Sequence, residues 1–126
     1  MKWVFHNDRP IYAQITSQIE RGIVTGEFPP GTNLPSVRTL AEEAEVNPNT
    51  MQKALAELES KGLVITQRTA GRLVTEDKEM IEKVKTGLAK DYIQAFLLGM
   101  ESLGIQNDET ISLLKSELKN KEKEVQ

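Results

Sequence analysis

SVRTLAEEAEVNPNTMQKALAELES, residues 36–60, reads as two short helices separated by about three residues. Ser36 is placed to cap the first, its hydroxyl answering free backbone N–H groups. Val37, Leu40, Ala41 and Ala44 then recur on one side at helical spacing. Asn47 before Pro48 is a start signal for the second helix: a side chain able to cap, then a ring whose fixed φ and missing N–H suit the first turn. This helix turns Met51, Ala54, Leu55 and Leu58 inward and stops at Gly62. Two short helices with a fresh cap between them have helix-turn-helix spacing.

Upstream, Ile11, Ile15, Ile19 and Ile23 recur every four residues after Pro10 and form one apolar stripe. Gln14, Gln18, Glu20 and Arg21 are expected to face outward. Gly26 closes that helix, and Pro29-Pro30-Gly31 prevents a restart. Downstream, residues 63–66 and 72–75 are β-branched and apolar around a connection containing Gly71, which predicts a hairpin. Three helices and a hairpin make a winged helix-turn-helix, with the hairpin as the wing. The fold class is therefore α+β, mostly helical, with residues 1–76 as the winged domain and 77–126 as a short two-helix segment.

That second segment opens on Glu76-Asp77, acids that favour a helix N-terminus. Ile81, Val84, Leu88, Tyr92, Ala95 and Gly99 are spaced by three and four, and Phe96, Leu97 and Met100 widen the apolar face. At 1.5 Å per residue the helix is roughly 40 Å long, too long to pack wholly on a small winged domain. Gly104 ends it. Asn107 or Asp108 caps a last helix with Ile111, Leu114 and Leu118 on one side, and residues 119–126 are expected to fray. The apolar residues have three open readings: an intramolecular core, a subunit interface or a ligand pocket. So short a tail encloses little alone, which favours dimerisation through Ile81, Val84, Leu88, Tyr92, Ala95, Phe96, Ile111, Leu114 and Leu118.

The chain has 126 residues, 38% hydrophobic and 28% charged, enough for one domain with an appendage. It contains no cysteine, hence no disulfide, thiolate zinc site or cysteine nucleophile. A single histidine, His6, disfavours a His-rich metal cage or a Ser-His-Asp triad. No paired carboxylates or Gly-rich phosphate loop appear either, so neither an enzyme nor a cofactor is expected. No apolar run nears the ~20 residues of a membrane span. The N-terminal residues lack the apolar core of a signal peptide, so a cytoplasmic protein is expected.

Taken alone, a formal net charge of −3 disfavours nucleic acid. Local charge matters more: residues 60–75 carry Lys61, Arg68 and Arg72 and no acid. At 100° per residue, Asn49, Gln52, Lys53 and Ala56 lie opposite the inward face of the third helix, with Thr50 on the flank. Amides around a small alanine suit a major groove, where they grip adenine edges, while lysine reaches guanine or phosphate. The plain alternative is a solvated face. Arg38 is either a phosphate or base contact or an exposed partner for Glu42 at i,i+4. Arg68 and Arg72 flank a turn whose Gly71 N–H can meet backbone phosphate, or they solubilise a hairpin tip. Ser36 and Asn47, at two helix N-termini, complete the candidate DNA-binding set. Trp3, Val4 and Phe5 are expected to pack on the core, as is Tyr12, for which a phosphate-contacting hydroxyl is the second reading.

The sequence strongly resembles bacterial transcription regulators of the GntR family from Pro10 to about Val74. The resemblance rests on Pro-Ile-Tyr-Ala-Gln-Ile (10–15), Gly-Glu-Phe-Pro-Pro-Gly (26–31), Leu-Pro-Ser-Val-Arg-Thr-Leu-Ala (34–41), Val-Asn-Pro-Asn-Thr-Met-Gln-Lys-Ala-Leu (46–55) and Leu-Glu-Ser-Lys-Gly-Leu-Val (58–64). Asn-Pro-Asn-Thr before Gln-Lys-Ala, with a two-helix tail, is similar to the YtrA-like subfamily, whose short tail dimerises. The resemblance implies DNA contacts at Arg38, Thr50, Lys53 and the wing around Gly71. Three departures stand out. Asn47-Pro48 replaces a common Ser-Arg, so an arginine base contact is missing. Glu45 occupies a turn position often held by glycine, which implies a less relaxed turn. The wing Thr-Ala-Gly-Arg-Leu-Val lacks the commoner Gly-x-Gly-Thr-Phe-Val.

The expectation is a homodimeric repressor that binds double-stranded DNA at a palindromic operator. From the resemblance alone come repression by occluding polymerase and autoregulation of a transporter operon. Binding of a small-molecule effector is left open. The rival is a winged-helix module whose outer face meets protein.

Overall fold

Capping chemistry sets the two central helices. The Ser36 hydroxyl accepts from the Thr39 N–H at 3.1 Å and begins α2, Val37–Ala44. Asn47 Oδ1 accepts from the Asn49 N–H at 2.8 Å, and Pro48 opens α3, Pro48–Ser60. The computed structural model describes residues 1–125, with α1 (Ile11–Val24) before this pair. After it come β1 (Val64–Gln67), β2 (Gly71–Val74), α4 (Lys78–Ser102) and α5 (Asn107–Val125). The architecture is α+β and mostly helical: a winged helix followed by a helical tail. Contacts divide it into two compact units, Met1–Thr86 and Gly87 onward, so the division falls within α4. Among the described residues, no helix is long and apolar enough to cross a membrane.

The core of the first unit is built from Ile15, Ile19 and Ile23 of α1, Leu40 of α2, and Met51, Ala54, Leu55 and Leu58 of α3, all 0–1% exposed. α1 and α2 both pack on α3, as the apolar spacing predicts. Ile11 is exposed, so the stripe of α1 begins one turn later than expected. Gln14 and Glu20, expected outside, are buried. Gln14 lies beneath residues 6–9, whose backbone it bonds, and Glu20 meets Lys61 at 2.5 Å. Trp3 and Phe5 stack at 6.1 Å and pack on the core, while Val4 stays exposed.

The hairpin pairs Val64 with Val74 through Gln67 with Gly71, one residue later on the first strand and one earlier on the second than the sequence suggests. Gly71 has φ +77°, so its left-handed conformation is cheap only without a Cβ. Residues 31–34 pair with the other edge of β2, which the Pro-Pro-Gly signal concealed. Gly31 N–H donates to Val74 O, Val74 N–H to Thr32 O and Leu34 N–H to Arg72 O, each at 2.9 Å.

Glu45 links α2 to α3 at φ 56°, ψ 45°, and among the described residues it alone is non-glycine with positive φ. The left-handed region costs an L-residue roughly 1–2 kcal/mol. Glycine returns about 0.4–1 kcal/mol of that through a freer unfolded chain. Glu45→Gly is therefore expected to raise the melting temperature by a few degrees; a fall would show that the turn is unstrained.

Thr75 Oγ1 accepts from the Asp77 N–H, and Asp77 Oδ1 caps α4 by accepting from the Met80 N–H, both at 3.1 Å. Ile81 joins the first unit's core, and Met80 and Val84 pack against it. Two residues of the expected dimer stripe, Ile81 and Val84, are thus committed to that core. The stripe continues as half-buried Leu88 and then exposed Tyr92, Ala95 and Phe96. Gly104 ends the helix, and Ile111, Leu114 and Leu118 of α5 are exposed. Helix α5 reaches Val125, so the segment expected to fray is helical that far; Gln126 lies outside the described residues.

Candidate nucleic-acid interface

The four apolar residues that seat α3 also orient its other face. Asn49, Gln52, Lys53 and Ala56 are exposed and Thr50 is half-buried, as the 100° spacing requires. Three side-chain links hold the helix to α1 along its length. Lys53 Nζ lies 3.9 Å from the centroid of the Tyr12 ring, a cation–π contact. The Thr16 hydroxyl donates to Tyr12 O at 3.0 Å and approaches Ala54 O at 3.4 Å. Glu20, with its side chain only 7% exposed, pairs with Lys61 just beyond the helix end. The Lys61 side chain is half exposed, so removing it is the costlier change: it leaves the buried Glu20 carboxylate uncompensated. The polar face is thus presented by a fixed helix.

Arg38 projects from the first turn of α2, exposed, and among the described residues it forms no ion pair. The Glu42 pairing that helical spacing permits does not form, which leaves the guanidinium free for an anion. Ser36 and Asn47 are occupied as caps through one oxygen each, the Ser36 hydroxyl also reaching Thr39 Oγ1 at 3.0 Å. They shape the helix starts, and the Asn47 amide N–H groups stay available.

The wing separates its two arginines. Arg68 stands exposed at the tip beside exposed Gly71. Arg72 turns inward, its Nε donating to Glu59 Oε1 at 2.9 Å. The Thr66 hydroxyl donates to the same oxygen. Glu59 of α3 therefore holds one residue from each strand, and Arg72 anchors the wing to the helix instead of offering a free cation. Spacing along the chain carries no signal for Tyr12–Lys53 or for Glu59 with Thr66 and Arg72, because folding joins residues up to 41 positions apart.

Residues 11–74 match the family model described as bacterial regulatory proteins, gntR family. The chain is 37% identical over 112 residues to the uncharacterized HTH-type transcriptional regulator YhcF of Bacillus subtilis, covering 89% of this chain and 93% of the relative. It is 35% identical over 98 residues to the HTH-type transcriptional repressor YtrA of the same organism, covering 77% and 75%. Among solved structures, a GntR family transcriptional regulator from Listeria monocytogenes superposes with a TM-score of 0.83 at 42% identity, covering 89% of this chain and 98% of that one. The DNA-binding domain of AraR, solved in complex with operator ORX1, superposes with a TM-score of 0.54 at 27% identity, covering 57% and 93%.

Proposed function

Since the chain belongs to the gntR family of bacterial regulatory proteins and is of the YtrA-like type, we propose that it represses transcription as a homodimer on a palindromic operator. It is a DNA-binding transcriptional regulator and not an enzyme. The observation that carries the proposal is the exposed Asn49, Gln52, Lys53 and Ala56 face above a helix side 0% exposed at four positions. In the proposed complex that face enters the major groove, Thr50 flanks it, and Arg38 and Arg68 hold phosphates on either side. The Gly71 N–H adds a wing contact, and Arg72 acts through Glu59 to set the wing's angle.

Dimerisation is supported by the second unit, in which many large apolar side chains of the described residues lie open to solvent. Tyr92, Ile93, Phe96, Leu97 and Leu98 of α4 and Ile111, Leu113, Leu114 and Leu118 of α5 are all exposed. So many large apolar groups on neighbouring helices mark an association surface. A two-fold axis through it repeats the recognition helix and selects a symmetric site. The cytoplasm, where DNA is met, is the proposed location.

Salt titration of duplex binding tests the reading, because each neutralised phosphate contributes a slope of about 0.9 in log affinity against log salt. Arg38→Ala is expected to reduce that slope by about one contact and the affinity about tenfold at equal helicity; an unchanged slope assigns the clamp elsewhere. No duplex affinity at low salt would favour a protein-binding winged module instead.

Tyr12 adds a finer prediction. An exposed cation–π contact contributes about 0.5–1 kcal/mol, so Tyr12→Leu should weaken duplex binding two- to fivefold by releasing Lys53. Tyr12→Phe should not. Equal loss in both variants would instead identify the hydroxyl as a phosphate contact.

A further inference from the structure

We infer that a basic concavity between α1 and the N-terminal residues crossing it binds a phosphate group. The cavity measures about 240 Å³, and its lining includes Lys2, His6, Arg9 and Arg21 with the amides of Gln14 and Gln18. No carboxylate lines it, although the chain as a whole carries a net charge of −3. Two carboxylates stand close by: Asp8 Oδ1 lies 3.8 Å from Arg9 Nε, both side chains well exposed, and Glu27, 3.6 Å from the terminal amine, lines the adjoining hollow that shares Lys2, Gln18 and Arg21. Among the described residues, Lys2 and Arg21 form no ion pair.

The wall is built, not incidental. Gln14 Oε1 accepts from the His6 N–H at 2.8 Å, and its Nε2 donates to His6 O at 2.7 Å and Arg9 O at 2.9 Å. One turn along, Gln18 Oε1 accepts from the Val4 N–H at 3.1 Å and its Nε2 donates to Val4 O at 2.8 Å. Two side-chain amides thus bind alternate residues of an extended segment as a neighbouring strand would, and Gln14 is 2% exposed. This strap carries Lys2, His6 and Arg9 across the helix to Arg21. Gathering like charges in one hollow is unfavourable by itself and is relieved by an anion.

Size and donor type narrow the ligand. Sites for whole drug-sized molecules run from about 300 to 1,000 Å³, so this one suits a single phosphate group rather than an entire cofactor. Guanidinium forks match phosphate oxygens bidentately, and the ammonium adds a point charge. The phosphate belongs either to a small molecule or to a duplex backbone. By helical spacing the lining residues of α1 point away from the Ile15, Ile19 and Ile23 stripe, so the site does not depend on α3 reading bases.

The test uses the full chain and inorganic phosphate, with ionic strength held constant by chloride. His6 is the one histidine, so its imidazole resonances report directly on the cavity. Arg9→Gln/Arg21→Gln removes two exposed cations and leaves both glutamine straps in place; an unchanged melting temperature checks the fold. A saturable shift in the wild type, lost in the variant, with an unchanged salt slope for duplex binding, assigns the site to a small phosphate-bearing ligand. A slope reduced by about 0.9 per lost contact in the variant, with or without saturation by phosphate, assigns it to the DNA backbone. A shift that never saturates or persists in the variant, together with an unchanged slope, overturns the proposal.

Discussion

Phe96→Asp is expected to give a folded monomer that binds an intact operator 10²- to 10⁴-fold more weakly than the wild type, about the advantage gained when a second binding module becomes tethered. Phe96 is exposed in the single chain and lies outside the core of the first unit, so the aspartate removes no packing on which that unit depends. In the proposed dimer the same position is desolvated, and an unpaired carboxylate there is strongly disfavoured. Two measurements check this. Sedimentation should show the loss of the dimer, and duplexes selected from a random pool by the wild type should show the loss of affinity. Binding to an isolated half-site should stay nearly unchanged, since each winged unit is intact. A dimer that survives the substitution would move the interface to another face of α4 or to α5.

Leu55→Ala is expected to lower the unfolding free energy by about 2–5 kcal/mol, the usual cost of truncating a fully buried leucine. Leu55 is 0% exposed on the helix that packs against both α1 and α2. Its loss therefore opens a hole in the core of the first unit. For a domain of about 60–100 residues each kcal/mol moves the melting temperature roughly 4–8 °C, so the shift should be about 8 °C or more. Circular dichroism at 222 nm measures it. Duplex binding well below the new midpoint should be retained, because the outward residues of α3 are untouched. A shift under about 1 kcal/mol would mean that the neighbours collapse into the vacated space.

Local rules made the helix-turn-helix legible. Ser36 and Asn47-Pro48 mark helix starts by satisfying, or never possessing, the backbone N–H groups left free there. The four buried residues of α3 follow from spacing alone, and its exposed amides and lysine follow from the same geometry. Glu45 was legible as a residue where glycine is usual, and it does take the left-handed turn. Glutamines 14 and 18 were misleading for a clear reason. Their polarity suggests solvent, yet an amide can also satisfy another backbone, and only the path of residues 4–9 supplies one.

Periodicity, caps and turn chemistry in this chain were sufficient to specify three helices, a hairpin, a long apolar helix and the outward residues of α3, because each depends on neighbours within a few positions. Tertiary structure alone decided how the charges are spent. Arg72 goes to Glu59, Lys53 to the Tyr12 ring and Lys61 to Glu20, while Arg38 and Arg68 stay unpaired among the described residues. A side chain's charge is fixed by covalent structure, but its partner depends on which distant segments packing brings within a few ångströms, where desolvation and short range make the interaction count.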